Sequence, residues 1–125
     1  GEGRNITAGS FDGLNYTFKV EVNNNQAIVN WKTASEPNVV FCDLERSING
    51  IDFHSIARLQ LLGNTEKEQT YELIDANFAQ QNVPFVYYRI KSTLGNNEER
   101  FTHKERINAK SFDNYSIVFA IFDTL

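Results

Sequence analysis

Residues 31–56 read WKTASEPNVVFCDLERSINGIDFHSI, and this stretch decides the fold. It opens on a tryptophan at the end of an alternating run, breaks at Pro37, alternates again from about Val39 to Ser47, turns at Asn49-Gly50 and begins another strand at Phe53 and Ile56. Alternation with a period of two places successive side chains on opposite faces of a sheet. Proline removes a ladder donor and holds Glu36 extended. Asn-Gly tolerates the positive φ that a tight hairpin requires. The stretch is a piece of β-sandwich and carries no signature of an active site.

The same period continues on both sides. Tyr16, Phe18, Val20 and Val22 alternate with polar residues, and Asn23-Asn24-Asn25 turns the chain into a strand with Ala27, Val29 and Trp31 on one face. In the third strand Cys42 and Leu44 share one face, with Phe41, Asp43 and Glu45 on the other. The fourth reaches about Leu61, a polar loop covers Gly63 to Gln69, and Tyr71 and Leu73 mark a fifth strand. Phe78 lies in a connection from Asp75 to Val83 and is expected to tuck back onto the core. Phe85 to Thr93 forms a sixth strand, with Val86, Tyr88 and Ile90 on one face and Tyr87, Arg89 and Lys91 on the other. Gly95-Asn96-Asn97 leads into a seventh, from about Arg100 to Ile107. No helical stripe competes. Seven short strands with near-neighbour turns predict an all-β, immunoglobulin-like sandwich, its core built from Val29, Trp31, Leu44, Val86, Tyr88 and Ile90. The third and sixth strands should be neighbours. That sets Asp43 and Glu45 across from Arg89 and Lys91 as an exposed ladder, continued by Lys104 and Arg106.

The 125 residues suffice for one domain. Residues 1–13 read as an N-terminal extension, 14–110 as the sandwich and 111–125 as an added C-terminal strand. A net charge of −4 gives no general attraction to phosphate backbones or anionic lipid, which argues against nucleic-acid and membrane-surface partners. No apolar run has the length of a membrane span. The single cysteine, Cys42, supplies neither an internal disulfide nor a thiolate cluster. With no methionine anywhere, the chain reads as a piece of a longer product, so a missing signal peptide says nothing about location.

These motifs carry a family resemblance. Trp31-Lys32-Thr33-Ala34-Ser35-Glu36 followed by Asn38, then Glu45-Arg46-Ser47, Asn49-Gly50, Phe53 and Ile56, and later Tyr87-Tyr88-Arg89-Ile90-Lys91, resemble the fibronectin type III-like domains of secreted and cell-surface proteins of Bacteroidota, often placed before a type IX secretion sorting domain. The resemblance covers about Tyr16 to Ile107. Cys42 stands where those domains usually have a large aromatic residue, and Asn49 where Asp is more common. The resemblance implies a non-catalytic spacer or interaction module in a secreted or surface-anchored protein, with the periplasm as the remaining location.

Little in the sequence supports catalysis. A nucleophilic site needs a base within reach of a nucleophile, whereas His54 lies beside a turn and His103 inside the last common strand. Glu66 with Glu68 and Glu98 with Glu99 fall in polar turns, which suits solvated charge better than a glycosidase pair. Asp12, Asp52 and Asp75 lack the spacing of a calcium loop, so no metal and no cofactor is expected. Three Asn-x-Ser/Thr triplets, at Asn5, Asn15 and Asn114, matter only in a eukaryotic secretory setting. The alternative to a structural or protein-binding module is a carbohydrate-binding module, with Phe41 and Tyr87 as the candidate stacking platform. Tyr115 to Phe122 (YSIVFAIF) is apolar on both strand faces. It is expected to cover an edge of its own sandwich or to join a second copy as a homodimer.

Overall fold

The computed structural model describes residues 16–33, 36–61, 64–65 and 69–109. The expected C-terminal strand, the N-terminal extension, Glu66 and Glu68 lie outside the described residues. In chain order the strands are β1 (Tyr16–Asn23), β2 (Gln26–Thr33), β3 (Glu36–Pro37), β4 (Val39–Ser47), β5 (His54–Gln60), β6 (Asn64–Thr65), β7 (Gln69–Asp75), β8 (Phe85–Leu94), β9 (Glu99–Phe101) and β10 (Glu105–Asn108). A single 3₁₀ turn at Phe78–Gln80 is the described helical element. It is too short to cross a membrane, and no described helix is long and apolar enough to do so.

The strands sort into two antiparallel sheets of an all-β sandwich. One has the order β1-β2-β7; the other runs β9-β8-β4-β5, with β10 also pairing β8. A third, minimal pairing joins β3 to β6. Pro37 therefore does more than end a strand, because the short β3–β6 pair includes it.

Side-chain alternation explains why the sheets face each other. Val29, Trp31, Leu44, Val86, Tyr88 and Ile90 are all essentially inaccessible to solvent, with Cys42 and Phe78 beside them. Each strand residue in this set lies on the inward register of its strand. Trp31 stacks on Tyr71 with ring centroids 5.2 Å apart. Cys42 Sγ sits 3.4 Å from Ser92 Oγ on the neighbouring strand. The β1–β2 turn places Asn24 and Asn25 at φ 54° and 64°, the pair of positive values a two-residue hairpin needs.

The Asn49-Gly50 connection is not that kind of turn. Gly50 has φ +79°, but the link from Ser47 to His54 is longer and is organised by side chains. Ser47 Oγ accepts the N–H groups of Asn49 and Gly50 at 3.1 and 2.8 Å. Asn49 Oδ1 accepts those of Ile51 and Asp52, both at 2.8 Å. These side-chain turns replace the backbone geometry of a tight hairpin.

The seventh strand is also interrupted. Phe101 lies opposite Lys91 and Glu105 opposite Tyr88, so three residues, 102–104, face two on β8. That extra residue is a β-bulge. Thr102 fills it by accepting the Ile90 N–H on Oγ1 at 2.9 Å while its own N–H reaches the Ile90 carbonyl at 3.0 Å.

A buried polar link ties the sheets together. Arg46 Nη1 donates to both oxygens of Asp75, at 3.0 and 2.8 Å, and the Tyr88 hydroxyl donates to Asp75 Oδ2 at 2.6 Å. Burial, then the hydrogen bond to Asp75 and the charge of that carboxylate, push the Tyr88 phenol far above its ordinary range, so it stays a donor. Arg46 Nε is a buried nitrogen with no partner among the described residues. The link is therefore specific in geometry but incompletely satisfied.

Two stability outcomes are expected. Trp31→Ala should cost about 3–5 kcal/mol through lost burial and a cavity; a denaturant melt losing less than about 1 kcal/mol would place the indole elsewhere. Asp75→Ala should cost about 3–5 kcal/mol by leaving Arg46 uncompensated, while the triple change Arg46→Met, Asp75→Leu, Tyr88→Phe should recover most of that loss. If the triple variant melts no later than Asp75→Ala, the penalty arises from packing and not from the stranded charge.

Candidate functional site on the outer sheet face

The face of the five-stranded sheet turned away from the core carries most of the described residues' organised charge. Period two puts Phe41, Asp43, Glu45 and Ser47 of β4 there, opposite Thr93, Lys91, Arg89 and Tyr87 of β8. The expected cross-strand pairs are present in this register. Glu45 Oε1 lies 2.7 Å from Arg89 Nε and its Oε2 3.5 Å from Lys91 Nζ.

The face differs from expectation in one respect. Asp43 is fully buried and Glu45 is 5% exposed, so the ladder is not an exposed one. Long side chains fold over the carboxylates. Arg58 reaches across from β5 to give Asp43 two hydrogen bonds, at 2.9 and 3.2 Å, and Ser55 Oγ adds a third at 2.9 Å. The guanidinium also lies 3.8 Å from the Phe41 ring centroid. Arg89 stands between Phe53 and Phe101, 4.1 and 4.3 Å from their centroids. Arg106 lies 4.6 Å over Phe85. Planar guanidinium groups suit this double use, since they bind carboxylates edgewise and rings facewise.

Burial pushes the Asp43 carboxyl up, and is the largest single influence on it. The hydrogen bonds from Arg58 and Ser55 and the charges of Arg58 and Lys91 together outweigh it, so the group is held below the usual carboxylate value of 3.8.

Phe41 and Tyr87 both lie on this face, and both are half-buried. The Phe41 ring is covered by Arg58. Tyr87 is covered by the β4–β5 loop: a Cβ built on Gly50 would meet its ring at 3.2 Å. Lys104 leaves the expected ladder and donates to the Gly50 carbonyl at 2.6 Å, whereas Arg106 keeps its place opposite Tyr87.

The bulge produces an arrangement that strand periodicity did not reveal. His103 Nδ1 is 2.9 Å from the Tyr16 hydroxyl, and Nε2 is 2.7 Å from Glu105 Oε2. Carboxylate, imidazole and hydroxyl stand in the order of a nucleophilic triad. The side chains of His103 and Glu105 are, however, 50% and 37% exposed, too open to water for a sheltered reaction centre. The contact joins β1 of one sheet to the bulge of the other and acts as a tie between them. His54 is exposed at the start of β5, in the same row of the sheet as Glu105 but separated from it by β4 and β8.

Two shallow grooves lie elsewhere. One, of about 450 Å³, is lined by Asn38, Val40, Leu94, Gly95 and Asn96. The other, of about 400 Å³, lies over Thr17, Lys19, Asn30, Lys32 and Thr70. Neither reaches Phe41, Tyr87 or His103. No group of three His, Cys, Asp or Glu side chains able to hold a metal ion occurs among the described residues.

The Asp43 environment generates a pH dependence. A carboxyl held below its unfolded value, about 3.9, stabilises the fold above that pH, and the contribution is lost as pH falls through the folded value. Urea melts of the protein should therefore show a loss of stability as pH falls below about 4, to which Asp43 contributes. Asp43→Asn should flatten that part of the profile. An unchanged slope in the variant would show that Asp43 is not held by Arg58 in solution.

Neither a protein-family model nor a curated protein matches the sequence. Solved structures do. Pectate lyase Pel3 from Pectobacterium carotovorum is 21% identical with a TM-score of 0.51, the match covering 73% of this chain and 25% of that one. Pectate lyase PelI from Erwinia chrysanthemi, solved in complex with tetragalacturonic acid, is 15% identical with a TM-score of 0.54, covering 73% of this chain and 27% of that one. The chain thus spans about a quarter of each lyase, and at these identities the likeness is one of fold alone.

Proposed function

We propose that this chain is a fibronectin type III-like sandwich serving as a non-catalytic structural and interaction module of a secreted or cell-surface protein. The sorting of strands carries the reading. Three strands face a sheet in which β8 and β4 are central neighbours, as the resemblance of residues 16–107 implies. The charged side chains on the sheet face are engaged with one another and with rings, which suits a scaffold and a protein-contacting surface more than a reaction centre. A match to a quarter of two large enzymes agrees with a module that such proteins carry beside other parts.

The carbohydrate-binding alternative gains one specific feature and loses another. The rings of Phe41 and Tyr87 are covered, so a neutral sugar finds no bare platform. The group that faces outward instead is guanidinium, with the Arg58 side chain 50% exposed. In this reading the ligand is an acidic glycan, its carboxylates meeting Arg58 and Arg106.

One experiment separates these readings. The purified protein is incubated with polygalacturonate and, separately, with a neutral glucan, and both retention and polymer length are measured. The module reading expects no shortening of either polymer and no retention. Retention on polygalacturonate alone, lost in Arg58→Ala with Arg106→Ala, would establish the acidic-glycan reading in its place. Shortening of the polymer would overturn the non-catalytic assignment.

A further inference from the structure

Asn49-Gly50 is the single Asn-Gly pair in the sequence, and the dipeptide has a reactivity of its own. With no side chain on the glycine, its backbone nitrogen meets the least hindrance in reaching the asparagine Cγ. Once that N–H gives its proton to the solvent, the nitrogen forms a bond to Cγ and the bond from Cγ to Nδ2 breaks. The solvent returns the proton to the departing nitrogen, which leaves as ammonia. The cyclic succinimide that remains takes up water and opens at either carbonyl, giving aspartate or its β-linked isomer. Water is consumed and ammonia released, with no oxidant or cofactor needed.

The β4–β5 loop keeps the two reacting groups apart. Asn49 is exposed, so water reaches its side-chain amide, whereas Gly50 is buried. Gly50 is also held from three directions. Its N–H donates to Ser47 Oγ at 2.8 Å, its carbonyl accepts from Lys104 Nζ at 2.6 Å, and the Tyr87 ring lies against it, where an added Cβ would meet ring carbons at 3.2 Å.

The amide is fixed as well. Asn49 Oδ1 accepts the Ser47 hydroxyl at 2.9 Å and the Ile51 and Asp52 N–H groups, both at 2.8 Å, while Nδ2 donates to Asp52 Oδ2 at 2.8 Å. Donors on Oδ1 favour the negative charge that builds there during attack. What the loop withholds is therefore the nitrogen. Attack requires it to be turned toward Cγ with its orbital aligned. In the folded loop its N–H points at Ser47, and turning it breaks that bond and moves a residue that Tyr87 and Lys104 hold in place.

We infer that Asn49 is a gated modification site: deamidation is withheld while Ser47, Tyr87 and Lys104 hold Gly50, and proceeds when the loop lets go. The β-linked product lengthens the main chain by a methylene just before Gly50, so the three holds cannot all be remade and the opening becomes one-way. This inference goes beyond the module reading and does not depend on it.

Peptide mapping of the full chain by mass spectrometry, after incubation at mildly alkaline pH, tests it by counting aspartate and its β-linked isomer at position 49. Conversion in the folded protein should be slower than in the urea-unfolded protein by roughly tenfold or more. Lys104→Met, at an exposed position, should speed it roughly tenfold while the cooperative melt is retained, because the rate follows the population of the open loop. Ser47→Ala should act in the same direction, and Lys104→Arg, which keeps a donor for the Gly50 carbonyl, should stay protected. Equal rates in folded and unfolded protein, or a Lys104→Met variant as slow as the unmodified chain, would overturn the assignment. The β-linked fraction, separated by its added negative charge, should exchange the amides of residues 48–53 faster than the unconverted protein; equal exchange would show that the loop recloses and would overturn the one-way step.

Discussion

The pairing of β4 with β8 is the constraint on which both faces depend. Leu44 opposite Ile90 belongs to the core, and one residue along, Asp43 opposite Lys91 and Glu45 opposite Arg89 belong to the outer face. Because side chains alternate with a period of two, a one-residue slip would drive the two carboxylates against Trp31 and bring Leu44 out to the arginines. Burying an unpaired charge costs several kcal/mol. The charged face therefore acts less as a source of net stability than as a penalty on every other register. Its pairs are worth more than those of an ordinary exposed ladder because the carboxylates are dry, and less than their short distances suggest because removing them from water had to be offset first.

Arg46 extends the same logic through the sandwich. It sits on the inner side of β4, where a leucine-like residue would be expected, and reaches Asp75 at the end of β7. An apolar side chain in that place would bind the sheets without choosing their angle. The bidentate pair with Asp75, joined by Tyr88, fixes one end of β7 against one point of β8. Asp75 also accepts the Asn77 N–H at 3.0 Å, which starts the turn that buries Phe78. A single carboxylate thus sets the sheet-to-sheet contact and the chain's return to the core.

The sequence made legible whatever alternation encodes. The strands, the inward set around Trp31 and the β4–β8 neighbourhood all derive from period two, and Asn24-Asn25 and Asn97 announced their turns through tolerance of positive φ. Three features stayed hidden for physical reasons. The Asn49-Gly50 loop is shaped by the side chains of Ser47 and Asn49, so the dipeptide alone gave the wrong turn. The bulge at residues 102–104 adds one residue without any Gly or Pro to mark it, and so His103 could not be foreseen beside Tyr16. The burial of Asp43 and Glu45 depends on Arg58 and Phe53 arriving from β5 and its loop, long-range partners that strand patterning does not specify. Lys104 and Arg106 had looked equivalent; the bulge separates them, leaving one on a loop carbonyl and the other over Phe85.

The same burial preorganises the arginines of the outer face. An arginine held by a carboxylate on its edge and a ring beneath its plane has already lost most of its rotamer freedom, so a ligand that meets it incurs little further ordering cost. Arg89, held by Glu45 and set between two rings, is the extreme case, whereas Arg58, held by Asp43 beside the Phe41 ring, keeps its side chain 50% exposed and so presents a preordered cation to solvent.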